Sequence, residues 1–282
     1  MRNSSSDCQQ DMAIGRKPEK ADANCMRAKI VTDKFGTTRT GDTNEPPPGG
    51  ITARRSSRDF AVKLDADASY PALISLIRTL NAVDGDMTLA DDTASPKSRD
   101  ELCLKLAHRA FAIIECQHDD LFMSDLEIFT PNISAIDLLP ANLIHLAELN
   151  FNDLDAPTTL MRASTAKIEN LVSVGQNRSS KLCFMTIPET IDRPADRLLL
   201  EQPIEEVMSE AIFKWLSTAY EADLAIRAPL YQHGILKINA ECRMPFQRVF
   251  NPIAPPGYRP THFRVLTTAA VSGDTDQNFI II

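Results

Sequence analysis

Ser98-Arg99-Asp100-Glu101 is the most restrictive signal in the chain. A Ser at the N-cap and a Glu three residues later satisfy each other's orphan amides, the reciprocal pattern of a capping box, so a helix begins here. Over the span 98–116, Leu102, Leu106, Ala110 and Ile113 form one apolar row. Leu104, Ala107, Phe111 and Ile114 broaden it. A surface helix needs an apolar arc of only about 100°. The excess calls for a second buried contact, either a helix of the same chain or a second copy in an isologous homodimer.

The intramolecular candidate lies just upstream. Ser69 can cap a helix over 71–83, Pro71 suits its first turn, and Leu73, Leu76, Ile77 and Leu80 recur at helical spacing. Asp84-Gly85-Asp86 ends it, a polar loop runs from Thr88 to Lys97, and Phe60–Leu64 alternates as a short strand does.

Composition narrows the class. The chain has 282 residues, 43% apolar and 24% charged, with a formal charge of -8. That is the balance of a folded soluble protein. No run of about 18 apolar residues suggests a membrane span, and the first residues lack an apolar core, so a cytoplasmic location is expected. The six cysteines show no paired two-residue spacing, which argues for free thiols. Residues 1–62 carry 11 Lys and Arg against 8 Asp and Glu, leaving 19 against 30 for the rest. The stretch around Glu45-Pro46-Pro47-Pro48-Gly49-Gly50 has nothing to bury, so 1–58 reads as a disordered tail. Arg54-Arg55-Ser56-Ser57-Arg58 reads as solvated charge; with no helix-turn-helix or metal finger after it, nucleic acid is disfavoured as a partner.

Downstream, a proline-bracketed segment at 126–140 precedes an expected strand at 143–151, a returning strand at 158–165 and a short helix at 167–174 stopped by Gly175. A strand follows at 182–187, then a long helix from about Pro203 with Met208, Ile212, Trp215 and Ala219 on one face. Three strands complete the pattern at 230–238, 245–253 and 262–271, the last two joined by Pro255-Pro256-Gly257. The class is α+β. Two strands, intervening helices and three strands make a five-stranded antiparallel sheet covered by helices.

Particular residues carry a family resemblance. Phe129-Thr130-Pro131-Asn132-Ile133 leads to Leu138-Leu139-Pro140-Ala141-Asn142-Leu143-Ile144, and Met161-Arg162-Ala163-Ser164-Thr165 follows. Ala219-Tyr220 and Ala228-Pro229-Leu230-Tyr231 then precede Phe246-Gln247-Arg248-Val249-Phe250-Asn251-Pro252-Ile253. Over about 100–271 this resembles a bacterial subfamily of stand-alone PAS domains. Composition and periodicity divide the first part of the chain into a disordered tail at 1–58 and a strand, helix and loop at 59–97; the resemblance implies a PAS-like sensor domain at 98–271, which leaves a C-terminal tail at 272–282. It also implies a sensory or signalling module that binds a small-molecule ligand or an effector protein. Pairing through helix 98–116 is a further implication. The alternative is an interaction or structural domain whose core is filled by its own side chains; a small-molecule enzyme ranks third.

Under that reading Arg162, Trp215, Phe246 and Arg248 are the ligand-binding candidates. Arg162 and Arg248 sit among apolar strand residues and, facing inward, need an acidic side chain or a bound carboxylate. No catalytic residue is nominated: Gly-x-Ser-x-Gly, Gly-x-Gly-x-x-Gly and the P-loop are absent. No metal ligand is nominated either, because Cys103 and His108 are five apart and share no helix face well. The cofactor is left unspecified.

Overall fold

The computed structural model describes residues 29–55, 59–81, 86–89, 98–118, 128–136, 139–149, 171–177, 179, 181–186, 200–237, 243–253 and 264–271. The strands are β1 (Lys29–Thr32), β2 (Thr38–Thr40), β3 (Ile51–Arg55), β4 (Asp59–Leu64), β5 (Asp86–Leu89), β6 (Ile128–Thr130), β7 (Val172–Gln176), β8 (Leu182–Thr186), β9 (Leu230–Lys237), β10 (Arg243–Ile253) and β11 (Arg264–Val271). The helices are α1 (Tyr70–Asn81), α2 (Arg99–Gln117), α3 (Ala141–Glu148), α4 (Ile204–Val207) and α5 (Glu210–Ile226).

The α+β class holds, with a different sheet arrangement from the one expected. The described residues form two sheets: five strands in the order β2-β1-β3-β4-β5, and six in the order β6-β9-β10-β11-β7-β8. All described strand pairings are antiparallel except β4 with β5, which α1 connects as a crossover. Helices α1, α2 and α5 pack on one another between the sheets. Helix α1 touches β1 and β3, α2 touches β5 and β6, and α5 touches β10 and β11. One continuous apolar core therefore runs from Ile51 and Phe60, through Leu76, Ile77 and Leu80 of α1, to Phe184 and Phe250.

The capping box at the start of α2 forms as its sequence dictates. Ser98 Oγ accepts from the Glu101 amide at 3.2 Å and the Glu101 carboxylate accepts from the Ser98 amide at 3.2 Å. Ser98→Ala is expected to cost about 1 kcal/mol, read as a lower midpoint in thermal unfolding. The wide arc of α2 is covered inside the chain by α1 and α5, and the exposed positions Glu101, His108, Ala112, Cys116 and Gln117 include no large apolar side chain. The second contact left open by the sequence is thus intramolecular. The apolar arc therefore no longer calls for a homodimer through helix 98–116.

Four further expectations are corrected. Within the stretch expected to be a disordered tail, 29–55 carries three strands, because the β-branched residues Ile30, Val31 and Thr32 find partners in β2 and β3. Its Pro/Gly run is an ordered connection: Gly49 adopts φ 70° and its amide donates to Asp65 Oδ2 at 2.6 Å. The strand expected at 143–151 is α3 over Ala141–Glu148, with Leu143 and Leu146 buried at helical spacing. The helix expected at 167–174 is replaced from Val172 onward by β7, a buried strand between β11 and β8 in which Gly175 pairs with Arg264 and Cys183. The long helix is broken at Met208 into α4 and α5, with Ser209 capping the second.

The strand at 158–165, the turn at 255–257 and the tails at 1–28 and 272–282 lie outside the described residues. Among the described residues, no helix is long and apolar enough to cross a membrane.

Candidate functional site

Alternation along β10 divides its side chains between two layers. Phe246, Arg248 and Phe250 face α5, whereas Val249 and Asn251 face α3. The described side chains on one side of the six-stranded sheet pack against one another, and those on the other line a cavity.

On the α5 side, three of the four sequence candidates come together. The Trp215 ring meets the Phe246 ring edge-to-face at 5.4 Å. The Arg248 guanidinium carbon lies 4.1 Å from the Trp215 ring centre, 4.5 Å from that of Phe250 and 5.6 Å from that of Phe246. Its Nε donates to Gln232 Oε1 at 2.7 Å, a contact set by the register of β9 against β10. Arg248 is fully buried, and its charge is held by aromatic faces and a side-chain amide. Trp215, Phe246 and Arg248 therefore form a packed core cluster. Arg162, the fourth candidate, lies outside the described residues.

Two polar groups on α5 that the sequence candidates do not include share this interior. Tyr220 is buried with its ring against Phe250 at 5.6 Å, and burial pushes its hydroxyl pKa up to about 12 while Arg248 pulls it down. Asp223 is fully buried with neither carboxylate oxygen hydrogen-bonded among the described residues, and burial raises its pKa well above the usual carboxylate range. A sequence signal for Asp223 exists. It continues the row Met208, Ile212, Trp215, Ala219 by the same helical step.

The opposite side holds a cavity of about 590 Å³. Pro131, Ile133, Ser134, Ile136 and Leu139, which precede α3, form one wall, Ile144, Ala147 and Glu148 of α3 the second, and Ala228 and Pro229 close the end. Each wall has a local cause. Ile133–Ala135 is a single 3₁₀ turn after Pro131, and Asn251 Nδ2 fixes the end of α3 by donating to the carbonyls of Leu146 at 2.7 Å and Leu149 at 3.0 Å. Helix α5 stops at Arg227, in the left-handed conformation at φ 59°, whose Nη2 donates to Asn81 O at 2.7 Å. Ile144 stays 38% exposed, which places an apolar side chain at the cavity mouth.

Other chemistry is dispersed. Cys103 is buried, with its thiol pushed up to about 12 by burial, and Cys116 is exposed. Among the described residues, no three His, Cys, Asp or Glu side chains gather as a metal site. Comparison of the chain with protein-family models, curated proteins and solved structures finds no match.

Proposed function

We propose that this protein is a ligand-binding module of the sensory kind, with no catalytic step of its own, and that its ligand occupies the cavity that α3 lines together with Pro131, Ile133, Ser134, Ile136 and Leu139. The observation that carries the reading is the cavity itself. Its volume of about 590 Å³ falls within the roughly 300–1,000 Å³ range of small-molecule sites, and its walls are mostly apolar with a few polar groups. The order β7, β8, α4, α5, β9, β10, β11 supports a PAS-like reading of this half: two strands, helices, then three strands. Strand β6 on the β9 edge and the five-stranded sheet are additions to that pattern. Binding at α3 offers a route to an effector protein, since α3 rests on the sheet through Leu143 and Leu146 alone among its fully buried residues.

The self-filled alternative has its own support in the packed cluster of Trp215, Arg248 and Phe250. Native mass spectrometry of the full chain purified from its own cells separates the two. A small-molecule adduct is expected in the parent and is expected to be lost in Ala147→Trp, whose indole fills the cavity from α3. Repeated recovery of the bare mass under mild conditions would favour the self-filled domain.

A further inference from the structure

We propose that the occupant of this cavity is an apolar molecule with one cationic amine, held at the Glu148 end. The inference rests on the ligand-binding reading above and adds the ligand's chemical class. Among the described residues, the polar part of the lining consists of Ser134 and Glu148. Ser134 Oγ donates to Asn132 Oδ1 at 3.2 Å, so toward the cavity the hydroxyl offers lone pairs. Glu148 is the last residue of α3, where the helix dipole adds negative potential to that of the carboxylate. Both groups therefore accept hydrogen bonds.

Among the described residues, no Lys or Arg lines the cavity. Arg227, beside Ala228, directs its guanidinium to Asn81 on α1. His233, on the α3 side of β9, has its Nδ1 on the Tyr231 hydroxyl at 3.1 Å, and burial lowers its pKa, which disfavours its charged form. A carboxylate or phosphate ligand would bring its charge against Glu148 with no described cation to meet it. An amine finds a counter-charge there and apolar walls for its body.

The test uses three ligands of matched shape, phenylbutylamine, phenylbutanol and phenylbutyrate, titrated into the full chain and into Glu148→Gln and followed by protein-observed NMR. The amine is expected to bind about fivefold tighter than the alcohol, the scale of one partly exposed charge pair, and the carboxylate more weakly than either. In Glu148→Gln the amine and alcohol are expected to agree within about twofold. A carboxylate that binds as well as the amine, or an amine preference that survives Glu148→Gln, would overturn the ligand class and leave the cavity reading standing. Failure of all three ligands to bind, in the parent as in Ala147→Trp, would reject the cavity reading itself.

Discussion

Arg248→Ala is expected to lower unfolding free energy by about 3–5 kcal/mol, a large share of the 5–15 kcal/mol typical of a domain. Three losses combine. The guanidinium gives up its places over Trp215 and Phe250, a cation–π contribution of up to about 2 kcal/mol at a desolvated site. Gln232 Oε1 loses the 2.7 Å bond from Nε and stays buried. A void opens where a long side chain lay, and large-to-small core changes carry a cavity penalty.

Companion variants separate charge from packing. Arg248→Met keeps the length and is expected to recover part of the loss; adding Gln232→Leu removes the buried amide that had accepted from Arg248 and should recover more. Urea unfolding of the four proteins measures this. A double variant as unstable as Arg248→Ala would show that the charge itself, and not packing with the Gln232 hydrogen bond, holds this layer.

The same cluster shows what the sequence discloses and where it falls silent. Trp215 is readable as a core residue because the period of α5 puts it in an apolar row, and Arg248 as an inward charge because β10 alternates. Gln232 is not readable as its partner. That pairing depends on the register of β9 against β10 over 16 residues of chain, and no local signal carries register. Strong local signals mark α1, α2 and the last three strands. Strands β1, β2 and β3 span only three to five residues and stand by cross-strand pairing, which a composition dominated by the intervening loop conceals. Helix α3 reads as a strand from its sequence because His145 and Glu148 interrupt its apolar row. The cavity lies beyond local reading altogether, since its walls come from 131–136 with Leu139, from 144–148 and from 228–229.

Asp223→Asn is expected to stabilise the protein increasingly as pH rises. Burial alone raises the Asp223 pKa, and no described side chain offers its carboxylate a hydrogen bond. Glu221, two residues earlier on α5, is raised by burial as well, but Arg78 Nε sits 2.7 Å from its carboxylate and pulls the other way. The native state therefore keeps a proton on Asp223 that the unfolded chain releases near the ordinary value of about 3.9. With more protons bound in the native state, stability falls as pH climbs from that value toward the raised native pKa. Asparagine cannot ionise, so its advantage should be within a few tenths of a kcal/mol near pH 4 and about 1–3 kcal/mol near pH 8. Asp223→Leu also removes the unpartnered polar atoms and should gain at both pH values. Glu221 contributes equally to parent and variant and cancels from the difference. Urea midpoints measured across this range check the slope, and an Asp223→Asn gain that is the same at both ends would mean that the buried carboxyl does not titrate differently on folding.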